Sequence, residues 1–530
     1  MSNSNFKVAK YTGIVMIATL LCRLLGLGRE IVISNQFGAG LETDAFFVAF
    51  MIPNLLRSFL GEGALNTTFI PVFSDYLTNH DQKKADTFAS NVLNILIITL
   101  IVIIFLGIWG APLIVNILAS GFRLEPAKYL LTIRLTKIMF PYIGFAAMAA
   151  LFMGILNSYK EFFIPSFAPA MLNIGIISFA LLYTAEMGIY SLAIGVIIGG
   201  LVQAIIHIPA LFKRHFHYKL ILNFRDPGII VLFRLFLPAM FGLAIDKINF
   251  VVDRIIASYL THGSISALYY ANRLMQFPLG VFGIALSIAI LPTLSKHVAQ
   301  KQHDRLRNSF SFGIKILSLF ILPSTVGLIV LSHPIIKLFY EHGLFGSQDT
   351  SMTEIALVCY TIGLFAIATL RLIISTFYAL KDTRTPLKIG FYIVIFNIIL
   401  DLLLVRYLAH AGIALATSIA AILHFIILGI FLNKKIRGIF SKDLLEFFWK
   451  TSVASIFMGI VCWAVSQYFN SMFDLNVKII QVIQVLVSIT LGLITYYISG
   501  IMLGITIFRN SGKLINKLIK GKFSEEDEYH

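Results

Sequence analysis

Charge is scarce in this sequence, and acid is scarcer than base. Only 13% of the 530 residues are charged, with 26 Asp and Glu against 42 Lys and Arg, while 58% are hydrophobic. With a mean hydropathy of +0.87, the chain carries more apolar surface than the cores of a soluble protein of this length would use, which excludes that class. Cysteine is nearly absent. Cys22, Cys359 and Cys462 stand singly within apolar runs, without metal-ligand spacing, so neither a disulfide framework nor a zinc site is indicated, and the three read as small packing residues. No P-loop is present, and the histidines gather in loops (His215, His217, His297, His303) with no nucleophile or paired carboxylates beside them. A hydrolytic enzyme or ATP-driven machine is therefore not readable, and transport would have to run on gradients. The GxG of LGLG (25–28) has no strand before it and is no dinucleotide fingerprint. No short signal peptide precedes the first apolar run, which from Tyr11 is expected to be an uncleaved first span.

What is present is a succession of apolar runs long enough to cross a hydrocarbon core. They fall near 10–35, 44–73, 88–119, 129–157, 163–184, 188–212, 228–260, 265–295, 308–340, 352–380, 387–408, 411–433, 449–470 and 478–508. The expected fold is an all-α polytopic membrane protein with fourteen transmembrane helices. With both termini cytoplasmic, the inner connections hold about 26 Lys and Arg and the outer ones about 4, the asymmetry of the positive-inside rule. Most of the net charge of +16 is thus topology, and no nucleic-acid partner is implied. The end SEEDEYH reads as a disordered acidic tail.

An internal repeat organises the runs. FIPVFSDYL (69–77) is echoed by ILPTLSKHV (290–298), and DAFFVAF (44–50) by SALYYAN (266–272), an offset of about six helices. An even number gives both copies the same direction, hence two six-helix lobes related by a pseudo-two-fold axis along the membrane normal. The expected domains are an N-lobe (1–212), a C-lobe (213–434), two additional helices (435–508) and a cytoplasmic tail (509–530).

About twelve cations remain inside the spans, each costing about 2.5–3.5 kcal/mol at a lipid-facing helix centre. Arg134, Lys137, Arg234, Lys315 and Lys337 lie near helix ends, where snorkelling suffices. Arg23, Arg29, Arg57 and Arg273 lie beside glycines or prolines that loosen the helix, and they read as cavity-lining, with structural salt bridges as the alternative. Internal anions are fewer: Glu30, Glu62, Asp246, Asp253 and Asp401, with Asp44 near an outer helix end. An arginine-lined cavity suits an anionic substrate, and guanidinium forks match phosphate oxygens. On an ideal helix Arg23 and Arg29 point about 120° apart, so both could serve one ligand only if LGLG bends the segment. Asn397 and Asp401 share one helix face at i and i+4, and their oxygens, with Asp253 and Thr417, would suit sodium. The alternative is a buried Asp satisfied by Asn or by Arg254.

RLLGLGRE (23–30), FGAGLETDAFFVAFMIPNLLRSFLGEGALNTTFIPVF, PSFAPAMLNI (165–174) and YYANRLMQFPLGVFGIALSIAILPTLSK resemble the MurJ/MviN family, the lipid II flippases of peptidoglycan synthesis within the MOP exporter superfamily. The resemblance implies an alternating-access cationic cavity and, with the last two helices, a groove for the polyprenyl tail. It also implies a monomer in the bacterial inner membrane that moves lipid II outward among membrane lipids, without cofactor unless sodium couples. It puts Arg23, Arg29, Arg57 and Arg273 on the family's functional arginines and Asp44 on its outer-gate aspartate. Glu62 and Asn54 match motif positions with a guessed gating role, and Glu30, where Asp is common, supports Arg29 or the gate. Asn272 stands where relatives often have Asp. Asp253, Asn397, Asp401 and Thr417 resemble the sodium pattern of some members. The rivals are an exporter of another polyprenyl-diphosphate saccharide, a cation-coupled drug exporter, and a non-transporting scaffold.

Overall fold

The computed structural model describes residues 3–58, 64–505 and 507–508. Every regular element among the described residues is helical. That is what a chain must do where no water can satisfy its backbone. Among the described residues, ten helices are long and apolar enough to cross a membrane, or eleven if a pair bent by 41° at Gly363 counts as one span. Large apolar side chains face outward, with Phe105 70% and Trp109 79% exposed, a surface suited to lipid.

The chain packs as two compact units, one of residues 1–266 with 340–349, the other of 267–339 with 350–530. The first holds α1 (Asn3–Phe37), α2 (Leu41–Arg57), α3 (Ala64–Asn79), α4 (Gln82–Trp109), α5 (Ala111–Leu118), α6 (Pro126–Met139), α7 (Tyr142–Ser158), α8 (Phe163–Phe167), α9 (Pro169–Met187), α10 (Tyr190–Ile205), α11 (Ile208–Lys213) and α12 (Pro227–Ala257). Its core stacks Phe69 on Phe73 and Phe88, with Leu151 and Ile155 of α7 and Ile229 and Leu232 of α12 around them. Helices α9 and α10 cross closely because Gly175 meets Gly199; a Cβ on Gly175 would lie 2.5 Å from the Gly199 Cα.

Residues 213–266, which the repeat assigns to the C-lobe, pack in this first unit. The reason is a polar face on α4. Asn91 exchanges two 2.8 Å bonds with the backbone of Asn223, and Asn94 donates to the carbonyls of Ile221 (2.8 Å) and Lys219 (3.0 Å). These amides satisfy an extended segment that has no strand to pair with. Asp226 then accepts from the Gly228 (2.8 Å) and Ile229 (3.4 Å) amides as the N-cap of α12, ahead of Pro227.

Helix α13 (Ser264–Pro278) leads into the second unit, which continues as α14 (Ala285–Ala299), α15 (His303–Val330), α16 (Ser332–Phe339), α17 (Ser347–Ile362), α18 (Leu364–Ala379), α19 (Arg384–Leu408), α20 (His410–Lys435), α21 (Lys442–Met472) and α22 (Lys478–Met502). A π-helical turn over Leu279–Ile284 follows Pro278, which has no N–H to give the ladder. The α17–α18 break is satisfied by Ser418 of α20, whose hydroxyl donates to the Cys359 carbonyl (2.6 Å) and accepts from the Gly363 amide (3.1 Å). Helices α21 and α22 pack on α15 through Leu319, Met458, Cys462 and Tyr496, and the Tyr496 hydroxyl donates to the Leu319 carbonyl at 2.8 Å.

Candidate functional site

Asp44, in the first turn of α2, is fully buried and accepts four hydrogen bonds. Lys128 Nζ donates at 2.8 Å and the Gly263 amide at 2.9 Å to Oδ2; the Ser266 amide (2.9 Å) and hydroxyl (2.7 Å) donate to Oδ1. The aspartate thereby caps the start of α13 from another helix, while its own helix N-terminus favours the negative charge. Gly263 permits this: its φ is +82°, and a Cβ there would lie 2.5 Å from the Ala39 carbonyl oxygen. Ser266 is also the residue that the repeat sets opposite Asp44. Lys128, just outside the apolar run that begins near 129, is 3% exposed and stands over the Phe122 ring, its Nζ 3.4 Å from His262 Nδ1. His262 Nε2 in turn lies 3.2 Å from Glu125 Oε1. The cluster is thus a buried ion pair with a partly exposed histidine and glutamate at its rim.

The arginines are distributed differently. Helix α1 is continuous from Asn3 to Phe37, so LGLG does not interrupt it, and Arg23 and Arg29 keep their divergent directions. Arg29 is 6% exposed, pairs with the fully buried Glu30 and lies with its Cζ 5.9 Å from the Phe50 ring centroid. Arg23 is half-buried. At the end of α2, Arg57 Nε donates to Asn54 Oδ1 at 2.8 Å, an i, i+3 pair that fixes the root of the guanidinium. Arg57 also lines a small cavity with Ala146, Ala150 and Met153 of α7, Gln203 of α10, and His207. Glu62 and the Asp246 side chain lie outside the described residues. Arg273 is half-buried in the second unit, one position after Asn272, which accepts from Gln276 one turn on. Arg134, Lys137 and Arg234 are exposed, as snorkelling side chains are. Arg254 is 7% exposed and donates to the Ile265 carbonyl at 3.1 Å.

In the second unit the Asn397 amide donates to Asp401 Oδ2 at 2.8 Å, both side chains being buried. Thr417 donates its hydroxyl to the Ile413 carbonyl at 3.0 Å, one turn back on its own helix. Asp253 belongs to the first unit. No group of three or more His, Cys, Asp or Glu fit to hold a metal occurs among the described residues.

The family model for the lipid II flippase MurJ matches residues 33–484. The chain belongs to the MurJ family. A lipid II flippase MurJ of Burkholderia cenocepacia is 35% identical over 457 residues, covering 84% of this chain and 88% of that protein. A probable lipid II flippase MurJ of Buchnera aphidicola from Acyrthosiphon pisum is 33% identical over 497 residues, covering 93% and 97%. A solved lipid II flippase MurJ in an inward closed conformation superposes with a TM-score of 0.77 at 32% identity, covering 92% of this chain and 99% of that one. An inward-facing multidrug MATE transporter of the MOP superfamily shares the fold, with a TM-score of 0.67 at 15% identity over 81% of this chain.

Within this MurJ-family chain, sequence reasoning singled out Asp44 and the arginines but missed their surroundings. Lys128 follows PA and precedes YLL, which resembles a helix start at the membrane edge, and only tertiary packing buries it. Gln203 and His207, four positions apart at the end of an apolar run, gave the available signal of a buried polar pair.

Proposed function

We propose that this chain is a lipid II flippase of the bacterial inner membrane, moving the lipid-linked peptidoglycan precursor from the inner to the outer leaflet by alternating access. What carries this reading is the burial of Arg29 in an apolar unit of a MurJ-family chain. A guanidinium held by Glu30 and Phe50 is oriented before a diphosphate arrives, and charge-assisted bidentate bonds are the strong ones. Arg57, rooted by Asn54, and Arg273 supply further donors, with Arg23 in support.

Fourteen crossings are supported by adding α1, the α2–α3 pair and α12 to the eleven spans that length and hydropathy select. The loop cations favour cytoplasmic termini. The functional halves are 1–212 and 213–434, with 435–508 as the tail groove, acting as a monomer. Asp44, bonded to Gly263, Ser266 and Lys128, serves as the outer latch that must open to release the headgroup, with Asn54 and Glu62 in gating roles. A negative interior helps: outward movement of an anion gains about 2.3 kcal/mol per charge per 100 mV. Sodium at Asp401, Asn397, Thr417 and Asp253 would reset the cycle.

The test is depletion of the protein in cells, with replacement by wild type, Arg29→Ala, Arg57→Ala or Arg273→Ala, scoring lipid II with an outer-leaflet probe. Wild type restores access and the variants do not. Restoration by all three variants removes the arginine cavity from the mechanism.

A further inference from the structure

The connection from α11 to α12 reads as a solvated loop, yet it lies along a face of α4 that is directed at lipid. The Lys219 amide donates to Ser90 Oγ at 3.1 Å, while Asn94 and Asn91 hold the carbonyls of Lys219, Ile221 and Asn223. Ile98, Ile101 and Phe105 follow Asn94 at steps of four, three and four residues, so they share its helix face, and all three are exposed. The segment therefore covers the polar start of a lipid-facing stripe, and its own outer side has lipid for a neighbour.

Depth follows from helix geometry. Trp109, exposed at the far end of α4, is a residue type that marks an interface, and Tyr129 of α6 stands at the same level, its hydroxyl donating to the Pro112 carbonyl at 3.1 Å. A hydrocarbon core of about 30 Å takes roughly 20 helical residues, which counted back from Trp109 end near Ser90. Ser90, Asn91 and Asn94 are thus at the opposite hydrocarbon boundary, with the segment they hold. Its side chains suit that level. Leu220, Leu222 and Phe224, at alternate positions of the extended segment, are 89%, 50% and 58% exposed. Lys219 is bonded through its backbone to Ser90 and Asn94, but its ammonium donates to Thr87 Oγ1 at 3.0 Å, nearer the charged start of α4. The side chain runs out of the apolar layer, as a snorkelling lysine does.

We propose that residues 218–224 form a lipid-docking strap. Leu220, Leu222 and Phe224 insert among phospholipid acyl chains at the edge of the leaflet, while Lys219 and Arg225 meet the headgroup phosphates. On the orientation proposed above, this is the inner leaflet. The occupant is phospholipid because the strap continues the exposed apolar stripe of α4 at the depth where that stripe begins. The strap shields the α4 asparagines from lipid, and they fix its level. This role is independent of what the chain transports.

The experiment uses the full chain in phospholipid nanodiscs, with Cys22, Cys359 and Cys462 replaced by alanine. Single nitroxide labels are placed at Leu220→Cys, Leu222→Cys or Phe224→Cys, each variant checked for an unchanged thermal midpoint. Ile101→Cys reports lipid, and Lys83→Cys, exposed at the start of α4, reports water. Collision of each label with molecular oxygen, which partitions into lipid, is compared with collision with a neutral, water-soluble nickel chelate. The oxygen-to-nickel ratio at 220 and 222 should approach that at 101 and stand well above that at 83. A ratio at 220 and 222 equal to that at 83 means a solvated loop and overturns the docking. Low collision with both reagents means that protein covers the strap, which overturns it too. Where a cysteine variant is unstable, Leu220→Trp takes its place: quenching of the added emission by phospholipid brominated high on its acyl chains supports the docking, and absence of quenching overturns it.

Discussion

The first unit holds two polar regions that differ in one respect. Around Asp44 every strong bond is made: a buried carboxylate meets four donors, one of them a buried lysine. Around Arg57 the guanidinium is fixed at its root, Nε donating to Asn54 Oδ1 at 2.8 Å, and the side chain lines a small cavity with Gln203 and His207. A satisfied cluster stores stability and has to be broken for anything to move. A guanidinium held at its root beside open space is placed to meet an anion. On the proposed function, the two are the latch and part of the loading site of the transporter.

The largest expected effect comes from breaking the latch. Asp44→Ala leaves Lys128 buried without its carboxylate and uncaps α13, and it should cost about 3–5 kcal/mol, read as a fall in thermal midpoint. Lys128→Met made in the Asp44→Asn background should cost much less than in wild type, because the charge it answers is gone; a double-mutant cycle measures the coupling. The opposite profile is expected at the other region. Arg57→Ala should leave the thermal midpoint nearly unchanged while weakening lipid II binding by about 10- to 100-fold, the worth of a charge-assisted bond to phosphate. Should Arg57→Ala destabilise the fold as much as Asp44→Ala does, the distinction between latch and loading site disappears. Ser266→Ala removes one donor and keeps the other three, so about 1 kcal/mol is expected, with faster labelling of cysteines placed near Gly263.

The smallest effect lies outside both regions, at the Asp382 elbow between α18 and α19. Hydrogen bonds from Lys435 and Thr385 hold its carboxyl well below the ordinary carboxylate value. A depressed folded value stabilises above the unfolded one, so the contribution is complete at neutral pH and fades as pH falls below the usual carboxylate range. Because Lys435 is half exposed, Lys435→Ala should cost less than about 1 kcal/mol at pH 7, and its difference from wild type should shrink on acidification.

Much of this was legible in the sequence because membrane chains announce themselves: apolar runs give the helices, and stranded charges give the sites. Arg29, Glu30 and Asp44 are conspicuous since burying them is expensive, and all three are buried. What was not legible depends on distance in space. Lys128 reads as a loop cation until packing brings it to Asp44, and nothing local to 219–225 says that Asn91 and Asn94 will hold that segment on α4. The direction of α1 was open for a similar reason: glycines permit a bend, but only the packed helix shows that its hydrogen bonds continue through them.

The central claim is that guanidinium groups in this chain carry the diphosphate of lipid II across the bilayer. Its most direct measurement is lipid II translocation in vesicles reconstituted with the purified protein, following the fraction reached by an externally added lipid II-binding probe. Wild type should raise that fraction over time, and the Arg29→Ala, Arg57→Ala double variant, folded to the same thermal midpoint, should leave it at the protein-free level. Translocation by the double variant at the wild-type rate would contradict the claim.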